Sequence, residues 1–307
     1  MLKYIIKRLL LLIPVVIGIT LLIYVVLDLS PRDPVLVVLG AMEFTPEQYE
    51  AQKIAMGLDG PLVVRYFRYL WNLVRGDFGT SWFQGYSVAA EFAGRLPHTL
   101  KLGIFANLLS IVVGIPLGII AGARHNKITD FVLTFISLIL ASAPTFWVGM
   151  LGQVYLCVKL GLLPVSGATT FVHYILPSAV VAGMWTAQNL RTTRTWLIDV
   201  IHSDYVRTAR AKGASELTVI VKHALRNALL PVVTTLGAHF AMIMGILTVI
   251  EIVFAIPGVS SFLINAVRIG DVPIVMGCIL IIAVFVGVVN LLVDLVYAVI
   301  DPRVKFS

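Results

Sequence analysis

Asp204-Tyr205-Val206-Arg207-Thr208-Ala209-Arg210-Ala211-Lys212-Gly213-Ala214-Ser215, followed by His223-Ala224-Leu225-Arg226-Asn227-Ala228-Leu229-Leu230-Pro231, lies in the most charged stretch of an otherwise apolar chain. Ser203 or Asp204 can cap a short helix that Gly213 ends in a left-handed conformation. Ser215 can cap the next helix. Arg207 and Arg210 are three apart and point the same way. A short helix with small residues Ala209 and Ala211 and a projecting basic set is shaped to sit in a groove of another protein. On these residues alone, that reading and a plain solvated loop of basic residues stand level.

The flanks say where this segment lies. Of the 307 residues, 59% are hydrophobic and only 13% charged, and mean hydropathy is +0.97. A soluble domain is about half apolar and one quarter charged, so this excess needs a bilayer as solvent. Six apolar runs can cross it: Leu9–Leu27, Leu102–Ala123, Phe131–Val158, Tyr174–Leu190, Ala228–Phe254 and Ile274–Val299. The first follows Lys3, Lys7 and Arg8 and meets no small-residue cleavage site, so it reads as a retained membrane helix rather than a signal peptide. Pro116 and Pro144 fall inside runs, and Pro231 near the start of one, where proline removes a helical hydrogen bond and favours a kink.

With the basic amino terminus inside, six spans put both termini in the cytoplasm. That side then carries 14 of the 23 lysines and arginines, whereas the short outer loops carry one each, Lys159 and Arg268. This is the positive-inside asymmetry. The net charge of +7 therefore serves topology; no aromatic-interleaved basic patch points to nucleic acid. Cys157 and Cys278 sit within apolar runs, as core thiols do.

The expected architecture is an all-α integral membrane protein in four parts. Residues 1–29 are the first helix with a cytoplasmic start. Residues 30–98 form an extracytoplasmic segment of short amphipathic helices. Residues 99–300 are a five-helix core, with the charged helix at about 204–213, and 301–307 are a cytoplasmic tail. In the outer segment, Thr45-Pro46-Glu47-Gln48 spells a helix start with a capping box, and Phe44 and Tyr49 are placed for a hydrophobic staple. A second helix is predicted from Pro61 to Arg75, stopped by Gly76. Its Leu62, Tyr66, Tyr69, Leu70 and Leu73 share a face. Such a helix could lie on the bilayer surface or cap the transport domain; capping is the expectation, because Trp71 and Trp82 nearby suit an interface.

The motif Y-V-R-T-A-R-A-K-G, with H-A-L-R-N-A-L-L-P after a spacer, resembles the variant coupling motif of the dipeptide, oligopeptide and nickel importer permeases, which have the type I fold of ATP-binding-cassette importers. Many related importers place glutamate where this chain has Thr208; the peptide-type branch has threonine. The resemblance runs through the chain, by Gly18-Ile19-Thr20, Gly57-Leu58-Asp59, Gly76-Asp77-Phe78-Gly79-Thr80-Ser81, Arg95-Leu96-Pro97-His98-Thr99-Leu100, Val249-Ile250-Glu251, Asn290-Leu291-Leu292-Val293-Asp294 and Asp301-Pro302-Arg303. It departs at Pro257-Gly258-Val259-Ser260, which lacks a second glycine, and at Ile269-Gly270-Asp271-Val272-Pro273.

What this resemblance implies is a permease subunit importing di- or oligopeptides or similar small solutes by alternating access. Asp204, Tyr205, Arg207, Thr208, Ala209, Arg210, Ala211, Lys212 and Gly213 would form the coupling helix against an ATPase, with Gly213 and Pro231 as fixed points. The implied partners are a second homologous permease, one or two ATP-binding subunits and an extracytoplasmic substrate-binding protein, all in a lipid bilayer. No cofactor is expected in this chain. ATP and magnesium belong to the partner subunits, since no G-x-x-x-x-G-K-[ST] loop is present.

The chain is not expected to be an enzyme: no nucleophile–base arrangement stands out, and Ser166 reads as a turn residue. The six histidines are scattered, so no metal site is expected. Nickel or a metallophore complex stays an alternative cargo within the family. A secondary transporter, the alternative of another class, would need coupling charges in the membrane and repeated halves. Glu251 is the weak candidate for the substrate pathway, set against a buried hydrogen bond. Asp294 with Asn290, and His239, read as polar stitches between helices.

Overall fold

The computed structural model describes residues 2–29, 33–40, 43–225 and 230–300. Arg226 to Leu229 of the second half-motif, the side chain of Pro231 and the tail 301–307 lie outside this description. In chain order the helices are α1 (Leu2–Asp28), α2 (Pro34–Leu39), α3 (Pro46–Ala55), α4 (Leu62–Val74), α5 (Val88–Ala123), α6 (Ile128–Ser142) and α7 (Thr145–Gly152, running on as a π-helical turn Gln153–Lys159). There follow α8 (Val172–Ile201), α9 (Asp204–Ala211), α10 (Glu216–Thr218, running on as a π-helical turn Val219–Ala224), α11 (Leu230–Val253), α12 (Val259–Ile269) and α13 (Val272–Ile300).

Among the described residues, Ile5–Val26, Val88–Ala123 and Val272–Leu295 are each long and apolar enough to cross a bilayer, and the bent pair α6–α7 makes a fourth if it is one span. The run Phe131–Val158, expected as one kinked helix, breaks by 94°. Its cause is local: Ala143 precedes Pro144 and is held extended at ψ 125°, because the proline ring excludes the helical conformation before it. The fourth apolar run ends at Leu190, but its helix continues to Ile201.

The chain divides into two units, residues 1–97 with 258–288 and residues 98–257 with 289–307. In the first, polar caps start α2 and α3. Asp33 accepts from the Val35 amide at 2.8 Å to start α2, and Tyr49 of α3 donates to the same carboxylate at 2.7 Å. The capping box on α3 is complete, with Thr45 accepting from the Gln48 amide and Gln48 from the Thr45 amide. Phe44 and Tyr49 rings stack at 6.4 Å across that start. Helix α4 stops before Gly76, which takes φ +82°.

Helix α4 lies along α1. The Tyr66 hydroxyl donates to the Ile17 carbonyl at 2.9 Å and meets Thr20 at 3.0 Å. Arg65 pairs with Asp28, and Tyr24 packs against Tyr66 and Tyr69. The loop after α4 is tied to α13: a Cβ at Gly277 would lie 2.7 Å from Val88 Cγ1 and 3.1 Å from the Phe78 carbonyl.

In the second unit, α8 is the central buried helix. One face of α5 carries Gly114, Gly118 and Gly122, four residues apart, and each touches α8. A Cβ at Gly114 would lie 2.9 Å from Asn189 Cβ and from the Thr186 carbonyl; one at Gly118 would lie 2.6 Å from Thr193 Cβ. Small residues at such spacing let membrane helices approach backbone to backbone. Helix α8 also meets α6, where Arg194 grips Asp130. Gly149 of α7 sits on Phe254.

Candidate functional site

The charged segment folds as a short helix pinned from beneath. Ser203 stands extended at φ −71°, ψ 154° before α9, but its hydroxyl turns back to the Val200 carbonyl at 2.6 Å instead of capping. On α9, Val206 and Ala209 are buried against Leu197 of α8 and Val219 and Ala224 of the following turn. Three apart, they form the only inward face this helix needs. Tyr205, Arg207, Thr208, Ala211 and Lys212 are exposed. Thr208 donates to the Asp204 carbonyl at 2.9 Å.

The helix end is sharply defined. Gly213 has φ +79°; its amide donates to the Arg210 carbonyl at 2.9 Å and the Ala214 amide to the Ala209 carbonyl at 3.3 Å. This pair of bonds is a Schellman motif, which needs a left-handed residue at its centre. Ser215 then accepts from the Thr218 amide and starts α10. The sequence misses one partner. Arg210 does not project freely beside Arg207: its Nε donates to Glu216 Oε1 at 2.8 Å and its Nη2 to Oε2 at 3.3 Å. The chain reversal at Gly213 creates this pair, so helical spacing could not reveal it.

Other polar residues are distributed among the helices. Glu251 is wholly buried and accepts from the Thr99 hydroxyl at 2.6 Å. His239 meets Asn107 at 3.4 Å and Gln188 at 3.3 Å and stacks on Trp185 at 4.8 Å, a polar cluster joining α5, α8 and α11. Sequence reading missed Asn107, Gln188 and Trp185. Among the described residues no three His, Cys, Asp or Glu side chains gather as metal ligands. Around its buried base, α9 presents an aromatic ring, exposed cations and small residues to the outside.

Comparison with known proteins identifies the group. Residues 1–103 match the amino-terminal component, and residues 114–306 the main one, of the family described as binding-protein-dependent transport system inner membrane component. The chain belongs to this family. It is 39% identical over 307 residues to the glutathione transport system permease protein GsiC of Escherichia coli K12, covering 100% of both chains. To the dipeptide transport system permease protein DppB of the same strain it is 35% identical over 336 residues, covering 99% of each.

A chain of the inward-facing MetNI methionine ABC transporter shares its fold with a TM-score of 0.58 at 16% identity, over 69% of this chain and 96% of that one. The protein is thus a multi-pass inner-membrane permease with an all-helical importer fold. The peptide-type resemblance read from Tyr205 to Gly213 and along the whole chain agrees with this membership.

Proposed function

We propose that this permease is one of two membrane subunits of an ATP-driven importer for di- or oligopeptides, or peptide-like solutes such as glutathione. The observation that carries this is the end-to-end match to dipeptide and glutathione permeases. The six spans are α1, α5, the α6–α7 pair, α8, α11 and α13, with both termini cytoplasmic and residues 30–98 outside.

Helix α9 is the coupling helix. Its buried base at Val206 and Ala209 makes it rigid with the end of α8, so force on Tyr205, Arg207 and Lys212 is delivered to a membrane helix. One or two partner subunits bind and hydrolyse ATP, a binding protein delivers cargo from outside, and the bundle alternates between two states. Glu251 in its closed hydrogen bond with Thr99 is better suited to holding α5 and α11 together than to meeting cargo.

The test is purification of the tagged chain in mild detergent, identification of its companions, and uptake of labelled dipeptide or glutathione by the reconstituted complex. A second permease, ATPase subunits and ATP-dependent peptide uptake are the expected results. A lone chain with proton- or sodium-driven uptake would overturn the proposal.

A further inference from the structure

Helix α4 is apolar around most of its circumference, and only half of that surface is covered by protein. Going round the helix at 100° per residue, Leu62, Tyr66, Tyr69, Leu70 and Leu73 face inward and are buried or half-buried. The polar strip beside them holds Arg65, Arg68 and Asn72, which with Tyr69, Asp33 and Lys53 line a cavity of about 650 Å³. Its charges are matched: Arg65 pairs with Asp28 and Arg68 with Asp59, and the Arg68 guanidinium holds the Asp59 carboxyl below the usual carboxylate range. The remaining arc is Val63, Val64, Phe67, Trp71 and Val74, all exposed, with Phe67 at 65% and Val74 at 80%.

Contacts with α1 fix the depth of this open face. Ile5–Val26 is the apolar run that must lie in hydrocarbon. Tyr24 and Thr20, the neighbours of Tyr66, stand about 3 and 9 Å inside its Val26 end at a rise of ~1.5 Å per residue. The hydroxyl of Tyr66 reaches deeper still, to the Ile17 carbonyl. An interfacial amphipathic helix buries its apolar side ~5–10 Å into the headgroup and acyl boundary, a range that overlaps these depths. Leu21, Leu22 and Val26 near the same end of α1 are exposed as well. At its far end Arg75 lies over the Trp71 ring at 4.9 Å, an aromatic and cation pairing suited to the headgroup level.

We infer that α4 is a membrane-inserted helix, its Val63, Phe67, Trp71 and Val74 face lying among the acyl chains of the leaflet reached by the carboxyl-terminal half of α1. The segment after the first span is therefore not wholly aqueous. Its α4 braces α1 sideways, one apolar side on protein, the other in lipid, and the arginine strip towards water.

Spin labels at Phe67→Cys and Val74→Cys test this. The protein, with its co-purifying subunits, is placed in phospholipid nanodiscs, and collision with oxygen is compared with collision with a water-soluble nickel chelate. Both native cysteines are buried, and unsubstituted protein supplies the labelling background. A label at exposed Glu47→Cys is the aqueous reference. The expected result is an oxygen-to-nickel collision ratio several-fold above that of Glu47→Cys at both α4 positions. A ratio equal to the reference would place the face in water, and loss of both collisions would mean a protein covers it. Either would overturn the inference.

Discussion

Ser81 donates to the carboxylate of Asp271 at 2.6 Å, joining two fully enclosed side chains 190 positions apart. The same hydroxyl accepts from the Gln84 amide at 3.0 Å, and the second carboxylate oxygen takes the Trp82 amide at 3.4 Å. Asp271 stands where the family resemblance departs, yet it locks the Gly76–Ser81 loop to the start of α13. Ser81→Ala strips a buried carboxylate of its best donor, at ~1–3 kcal/mol. The unfolding midpoint in detergent should fall clearly, whereas Ser166→Ala, at an exposed turn position, should leave it unchanged.

Gly213 is expected to tolerate a side chain sterically but not conformationally. No atom lies within 4 Å of a Cβ built there, yet φ is +79°. A left-handed residue with a side chain costs ~1–2 kcal/mol, and asparagine bears it best. Gly213→Val should strain the α9 end, lowering peptide uptake and uptake per ATP hydrolysed while the subunit still inserts. Gly213→Asn should retain most of both. Uptake and ATPase rates in proteoliposomes decide it, and a Gly213→Val protein with normal coupling would sink the α9 assignment.

What the sequence disclosed and what it hid divide by distance along the chain. The capping box at Thr45 and Gln48, the stop at Gly76 and the turn at Gly213 are set by residues within a few positions, so each was legible. The Arg210–Glu216 pair, the Ser81–Asp271 bond and the Asn107–His239–Gln188 cluster depend on where the chain returns, which no local pattern records. Hydropathy also cannot see where a helix ends: α8 continues past its apolar run through Arg191 and Arg194, because a change from apolar to charged side chains leaves the backbone hydrogen bonds intact. Sequence reading missed the glycine triad of α5, whose four-residue repeat could have signalled a close helix contact; its partner, the Asn189 and Thr193 face of α8, carries no such mark.

That triad makes opposite outcomes from one substitution. At Gly118 a Cβ would stand 2.7 Å from the Leu190 carbonyl, a backbone atom that cannot swing aside, whereas at Gly245 nothing lies within 4 Å. Gly118→Ala must push α5 from α8 and should cost about 1–3 kcal/mol, as overpacking does. Gly245→Ala should stabilise by up to ~1 kcal/mol, the difference in helix propensity. Thermal unfolding of the two variants in detergent should shift in opposite directions; equal shifts would mean α5 and α8 are not packed this closely.

The Arg194–Asp130 pair gives the two partners unequal weight. The Asp130 side chain is 3% exposed and that of Arg194 25%. Arg194 Nη2 donates to Asp130 at 2.8 Å, and the Asn126 amide donates at 3.1 Å. Removing Arg194 strands a buried carboxylate on weak donors, whereas removing Asp130 leaves an arginine that can turn to water. Arg194→Ala should therefore cost about 2–4 kcal/mol, toward the range for breaking a buried pair, and Asp130→Ala distinctly less. The double alanine variant should fall below the sum of the singles, because its second substitution removes the charge stranded by the first. Unfolding midpoints of the three variants measure this directly. If Asp130→Ala proves the more costly single change, Asp130 matters mainly through its bonds to the Asn126 turn, and the joint between α6 and α8 rests on that turn.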